Sequence, residues 1–245
     1  MKTFRKLFFF VMPLLLIGFA VSILYKWNYI QHAQRVPDEF NIPYYTAGVD
    51  HNKNHIDDGK EILEGAKVYI SKSPQYEALR EYGGDGWPSG NHGQAGDVIA
   101  QAFDYADYDL QVLITQDIKK NPSAYEGKAP TGDKIAFRSP ETQAIFFSRY
   151  LPSYSTDIEK RSEWQPGDIV VFEKKHIAIV ADKVNDNGVR FIIHHFWQYQ
   201  AGYFQDVLET GAWGRITGHY RISDKILSPR TDNANTKVVK YEVNS

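Results

Sequence analysis

The stretch best suited to chemistry is the start of a predicted helix, where glycine residues mark a turn. Gly93 and Gly96 lie in this turn, and apolar residues then recur at helical spacing: Val98, Ile99, Ala102, Phe103 and Ala106. A helix N-terminus lowers the pKa of a thiol in its first turn, because unsatisfied N–H groups and the helix dipole favour the thiolate. The first-turn position here is Ala95, and the chain contains no cysteine. A thiol nucleophile, a disulfide and a thiolate metal site are therefore excluded.

A second candidate site is a calcium loop over residues 50–61. Oxygen-bearing side chains stand at loop positions 1, 3, 5, 9 and 12, the spacing of an EF-hand-type loop: Asp50, Asn52, Asn54, Asp58 and Glu61. His55 replaces the glycine of position 6 and two of the ligands are neutral, so we expect weak binding. The alternative is a helix N-cap formed by Asp57 or Asp58. Calcium is the cofactor that this loop suggests.

Length and composition favour one folded domain and give no indication of a nucleic-acid partner. The chain has 245 residues, of which 14% are aromatic, so it can bury a substantial core. Its formal net charge is −2. Because no run rich in lysine and arginine is interleaved with aromatic residues, binding to nucleic acid is not expected.

The N-terminus predicts a transmembrane signal anchor over residues 1–26. Residues 7–25 carry no charge and would span roughly 29 Å as a helix, enough to cross a hydrocarbon core. Lys2, Arg5 and Lys6 precede them, so the positive-inside rule predicts a single-pass protein of the cell membrane with an extracytoplasmic C-terminal domain. The alternative is a signal peptide cleaved after residues 18–20. Residues 27–49 are a predicted linker, whose aromatic residues either line the membrane interface or pack onto the domain: Trp27, Tyr29, Tyr44 and Tyr45.

The order of the predicted elements indicates an α+β fold. Ser139 and Pro140 mark the start of a second helix. Strand patterns follow at residues 169–172, 176–181, 189–194 and 215–221, with a hairpin turn at 185–188. Helices followed by consecutive antiparallel strands predict one α+β domain over residues 50–225, with a polar tail at 226–245.

Four motifs in this order resemble a bacterial envelope family known as domain of unknown function 1287. They are QPGDIV at residues 165–170, HIAIV at 176–180, IIH at 192–194 and ITGHYR at 216–221. The resemblance covers roughly residues 50–222. That family looks like a branch of the NlpC-type cell-wall peptidases, which implies a papain-like fold of helices followed by a mainly antiparallel sheet.

The resemblance also implies roles for particular residues. In such enzymes a thiolate attacks an amide carbonyl, a histidine transfers the proton, and a third polar residue orients that imidazole. The matching positions here are Ala95 for the nucleophile, His176 for the base and His194 for the orienting residue. The family motif cysteine-threonine-aspartate reads Ala95-Gly96-Asp97, so only Asp97 is kept. Loss of the nucleophile in enzymes of this kind costs about a million-fold in turnover.

Other positions depart from the family pattern as well. The family carries an asparagine-isoleucine-aspartate-phenylalanine-arginine-arginine run, and residues 134–139 keep only part of it. The asparagine that normally follows the orienting histidine is His195 here. Several family residues beside the cleft are missing here. This favours a loss of catalytic activity over the exchange of one nucleophile for another.

Two functions are compatible with these observations. The first is a pseudoenzyme that binds cell-wall peptide or an envelope protein through the cleft; the candidate binding residues are Trp87, Ser89, His195 and Trp197. The second is an active cell-wall hydrolase with a substitute nucleophile such as Ser89. A zinc-dependent hydrolase using His176, His194 and His195 is a weaker option, because no strong zinc signature is present.

Overall fold

The computed structural model describes residues 2–26, 33–76, 83–128, 134–173, 175–195, 208 and 213–226. The helices are α1 (Lys2–Lys26), α2 (Asp58–Ser71), α3 (Ala95–Tyr105), α4 (Leu110–Lys120), α5 (Pro122–Tyr125) and α6 (Pro140–Tyr150). The strands are β1 (Gln75–Tyr76), β2 (His92–Gly93), β3 (Ile169–Phe172), β4 (His176–Val184), β5 (Arg190–Ile193) and β6 (Ile216–Tyr220). Short 3-10 turns occur at Pro37–Phe40, Ala136–Arg138, Arg161–Glu163 and Asp224–Ile226.

Two helices begin at side-chain caps that the sequence predicts. The Asp57 carboxylate accepts a hydrogen bond from the Gly59 N–H at 3.1 Å at the start of α2. The Ser139 hydroxyl accepts from the Thr142 N–H at 3.3 Å, and Pro140 is the first residue of α6. Each cap satisfies a backbone donor that the helix leaves without a partner, so these residues fix where the two helices begin.

The main sheet has four strands in the order β5-β4-β3-β6, and all three pairings are antiparallel. β1 and β2 form a separate two-residue parallel pair just before α3. Helices followed by an antiparallel sheet confirm the predicted α+β class. The narrower papain-like fold stays a prediction.

Alternate strand residues pack into two apolar clusters. Val171, Ile177 and Ile179 belong to the larger cluster, which includes side chains of α2, α3, α4 and α6. Their neighbours Val170, Ala178 and Val180 belong to a second cluster with Trp164, Leu208 and Trp213. This alternation is what an antiparallel strand buried on both faces requires.

The segment after α1 is packed onto the domain from Arg35 onward. Arg35 and Val184 exchange backbone hydrogen bonds of 2.7 and 3.1 Å, at the end of β4. The Gln165 side chain donates to the Pro43 carbonyl and accepts from the Tyr45 N–H, both at 2.9 Å. The backbone of this part of the predicted linker is therefore bound to the domain.

Both ends of the chain extend beyond the residues that the structure describes. Among the residues whose side chains are described, no helix is long and apolar enough to cross a membrane. The predicted anchor therefore stays a prediction. Residues 27–32 of the predicted linker and 227–245 of the predicted tail lie outside the described residues.

Candidate functional site

The first turn of α3 is held by a buried carboxylate. Asp97 accepts a hydrogen bond from the Gln94 N–H at 2.9 Å, three residues earlier. It also receives two hydrogen bonds from the Arg138 guanidinium, at 2.5 Å from Nε and 3.1 Å from Nη2. Asp97 and Arg138 are 0% and 1% exposed. Burial raises the pKa of Asp97, and the paired Arg138 offsets part of this rise.

Gly96 lets the α3 start contact the segment that carries Arg138. A Cβ atom at Gly96 would lie 1.8 Å from the Arg138 carbonyl oxygen, so any larger residue would collide with the backbone there. The Gln143 amide donates to the Gly96 and Phe137 carbonyls, both at 2.8 Å. Three contacts therefore hold the first turn of α3, which begins at Ala95. They are the hydrogen bond from the Gln94 N–H to Asp97, the Asp97–Arg138 ion pair and the hydrogen bond from Gln143 of α6.

Ala95 itself lies in the larger apolar cluster and is 5% exposed. The same cluster contains Ile177 and Ile193, which adjoin the two candidate histidines in the chain. α3 also packs against β4. The assignment of Ala95 as a vacated nucleophile position stays a prediction.

His176 and His194 contact each other. His176 Nε2 and His194 Nδ1 are 3.0 Å apart, a hydrogen bond in which one ring donates and the other accepts. Trp213 stacks on His176 with ring centroids 4.2 Å apart, and it meets His194 edge-on at 5.4 Å. Burial lowers the pKa of His176 well below its usual value, and His194 lowers it further. The lowered pKa keeps the His176 imidazole neutral near pH 7.

The candidate binding residues lie in different surroundings. His195 is 1% exposed and meets Tyr76 edge-on. Burial and the neighbouring His194 lower the pKa of His195 to about 4, an effect that the Pro74 carbonyl opposes. Because Tyr76 pairs with Gly93 in the β1–β2 ladder, His195 lies on the side of the molecule where α3 begins.

Trp87 and Ser89 lie in the loop before α3. Trp87 packs edge-on against Phe137, with centroids 4.9 Å apart. Ser89 is exposed, and its carbonyl accepts a hydrogen bond from His92 Nδ1 at 2.8 Å. Trp197 lies outside the described residues. The binding roles of these residues stay predictions.

The carboxylates predicted to bind calcium accept hydrogen bonds from other groups of the protein. The Asp50 carboxylate accepts from the N–H groups of Asn54 and His55, both at 3.0 Å. Glu61 accepts from the amides of Asn52 and Asn54. Asp58 accepts from the Tyr108 hydroxyl in a short hydrogen bond. Among the described residues, no group of three or more His, Cys, Asp or Glu side chains could hold a metal ion, so neither calcium nor zinc gains support.

Sequence reasoning missed Arg138 and Gln143 as parts of this region. Arg138 is 41 residues from Asp97 in the chain, and no local pattern links two residues so far apart. The available signal was an arginine that follows three apolar residues directly before a helix cap. Such an arginine, if buried, requires an acidic partner.

The comparison with known proteins identifies the family. The family model described as "Domain of unknown function (DUF1287)" matches residues 63–222, and the chain belongs to this family. More specifically, the chain is 30% identical over 172 residues to a protein of Escherichia coli (strain K12) described as "Uncharacterized protein YijF". That match covers 65% of this chain and 80% of the relative. No solved structure matches the chain. The expected family is confirmed, and the relationship to NlpC-type enzymes stays a proposal.

Proposed function

We propose that this protein is a membrane-anchored, extracytoplasmic pseudoenzyme related to the NlpC-type cell-wall peptidases. It binds cell-wall peptide or another envelope protein at the start of α3 without cleaving it. The observation that carries this proposal is Ala95 in the first turn of a buried helix, in a chain without cysteine. A methyl group at that position can neither attack a carbonyl nor be activated by a base.

The histidine pair supports a descent from an enzyme. His176 and His194 are in contact, and Trp213 covers both rings. A base and the residue that orients it would have this arrangement. The Asp97–Arg138 pair holds the helix start in place whether or not a nucleophile is present.

The anchor is supported by the apolar surface of α1. Phe8, Phe9 and Phe10 are consecutive and each is more than half exposed, and so are residues 14–17. Consecutive exposed apolar residues cover every face of a helix, which suits a lipid environment better than water. Lys2, Arg5 and Lys6 at its start favour a cytoplasmic N-terminus.

Binding and turnover of peptidoglycan fragments test the proposal directly. The full-length protein in detergent micelles is incubated with disaccharide-peptides, and binding is followed by calorimetry and cleavage by mass spectrometry. We expect binding without cleavage. Cleavage that Ser89→Ala abolishes would establish the alternative, an active hydrolase. The exposed position of Ser89 and its carbonyl contact with His92 do not favour that alternative.

Restoring a thiol tests the predicted nucleophile position. We expect Ala95→Cys to react with iodoacetamide at pH 7 faster than Thr115→Cys, an exposed position on α4 that provides a matched control. The reason is that a helix N-terminus favours the thiolate, and the His176 imidazole would favour it further if it lies within reach of position 95. Adding His176→Gln should slow the reaction of the Ala95→Cys protein. A cysteine at position 95 that reacts no faster than the control would remove Ala95 from the proposed site.

A further inference from the structure

We infer that the domain itself docks onto the lipid bilayer through an exposed apolar patch made of Tyr44, Tyr45 and Ile56. The inference rests on the proposed membrane anchor and adds a second membrane contact to it. The patch contacts the lipid headgroup layer of the same membrane that holds α1. Tyrosine is suited to this layer, because its ring is apolar and its hydroxyl can remain hydrated.

The patch consists of side chains that protrude although their backbone is fixed. Tyr44 and Tyr45 are each 54% exposed, and Ile56 is 41% exposed. The Tyr45 N–H donates to the Gln165 side chain, which holds this part of the chain against the domain. The Gly48 N–H, just after the two tyrosines, donates to the carboxylate of Asp57, the residue after Ile56, at 2.7 Å. The three side chains therefore share one region of the surface.

The covalent connection keeps this region close to the membrane. α1 ends at Lys26, and Arg35 is the first of the described residues after it with a backbone hydrogen bond to the sheet, to Val184. Eight residues lie between Lys26 and Arg35, so the Cα atoms of these two residues are at most about 32 Å apart. From there the chain folds back, since the Ile42 N–H donates to the Pro37 carbonyl at 3.2 Å, and it then reaches Tyr44. An anchored α1 thus holds the patch within reach of the headgroups.

The charges around the patch decide which headgroups it suits. Asp38, Glu39 and Asp57 lie on the same segments as Lys53 and Lys60, and Arg35 is paired with Asp186 at 2.8 Å. These mixed charges give little attraction to anionic lipids. Docking must therefore depend on the apolar side chains, and it should be largely insensitive to salt and favour zwitterionic phosphatidylethanolamine.

Because the chain lacks cysteine, one introduced cysteine gives a single labelling site. The full-length protein carries Thr46→Cys, next to the patch, or Thr115→Cys on α4 as the matched control; both threonines are exposed. Each is labelled with an environment-sensitive fluorophore and reconstituted into phosphatidylethanolamine-rich vesicles that contain nitroxide lipids. We expect quenching at position 46 to exceed that at position 115 by about twofold or more, and Tyr44→Ser with Tyr45→Ser to remove the difference.

Flotation of the vesicles separates the two proposals. Protein that does not float with the vesicles after a high-salt wash overturns the proposed anchor. Protein that floats but shows equal quenching at positions 46 and 115 overturns docking alone. Quenching at position 46 that disappears at high salt also overturns the inference, because it would show electrostatic attraction instead of apolar contact.

Discussion

The start of α3 and the start of β3 are built from the same four-residue pattern. Gln94-Ala95-Gly96-Asp97 precedes the helix core, and Gln165-Pro166-Gly167-Asp168 precedes the strand. In each, the aspartate accepts a hydrogen bond from the N–H of the glutamine three residues earlier, at 2.9 and 2.8 Å. In each, the carboxylate also binds an arginine side chain through two nitrogens.

The two regions differ in what else the carboxylate binds. Asp168 also binds His219 Nε2 at 2.8 Å, and its Arg221 partner stays partly exposed. Asp97 has Arg138 as its charged partner, and this arginine is buried. Since Asp168 uses these contacts to stabilise a turn, the same contacts explain Asp97 without catalysis. The comparison teaches that Asp97 holds the helix start and is a poor indicator of retained chemistry.

The largest expected effect is the loss of one partner of the more buried pair. Asp97→Ala should lower the free energy of unfolding by about 3–5 kcal/mol, because it leaves the Arg138 charge buried without compensation. Asp168→Ala should cost less, since Arg221 can reach water. Urea unfolding of both variants measures the difference. A smaller loss for Asp97→Ala than for Asp168→Ala would contradict the comparison.

Alanine at the glycine of each pattern should have the next largest effect. A Cβ at Gly167 would lie 2.0 Å from the Gly59 carbonyl oxygen, and Gly167 has a φ of 89°. Gly96 faces a similar clash without a left-handed φ. We expect each variant to lose about 1–3 kcal/mol by overpacking, with Gly167→Ala the worse because backbone strain adds to it. Gly84→Ala, where nothing lies within 4 Å, is the control in thermal unfolding.

The smallest effect is expected at a third buried carboxylate, Asp58, whose hydrogen-bonding side-chain partner is the neutral Tyr108 hydroxyl. Burial raises the pKa of Asp58, and the hydrogen bond from Tyr108 offsets part of the rise. A raised folded-state pKa means that stability is fully present below the unfolded pKa of about 3.9 and falls as pH rises through the folded value.

Asp58→Asn should therefore flatten the decline in unfolding free energy above pH 4 and change stability at pH 7 by no more than about 1 kcal/mol. Chemical denaturation at a series of pH values measures this. An Asn variant with the same pH slope as the original chain would assign the slope to another group, such as the nearby Glu61, whose pKa is also raised by burial.

Local patterns predicted the elements that have local causes. The strands near residues 169–172 and 176–184 follow from short apolar runs between turns, and Ser139 and Pro140 marked the start of α6. The meeting of His176 and His194 was foreseeable, because they lie near the ends of two strands that pair directly. α4 was missed, although Asp109 caps it by accepting from the Val112 N–H at 2.9 Å.

Contacts between distant parts of the chain were not predictable from one sequence. The β1–β2 pair is two residues long and parallel, so it leaves no periodic signal. The bridge joins Arg35 to Val184, which are 149 positions apart in the chain. The partner of Asp97 is distant for the same reason. Such contacts decide whether a predicted site residue serves chemistry or packing.

The bridge between Arg35 and Val184 also determines where mechanical force would enter the domain. If α1 is fixed in a membrane and the domain is bound to a rigid wall polymer, tension along the chain arrives at the last residue of β4. His176 is the first residue of that strand. A pull on the tether would therefore load β4, the strand that begins with His176, before it reaches any helix of the core.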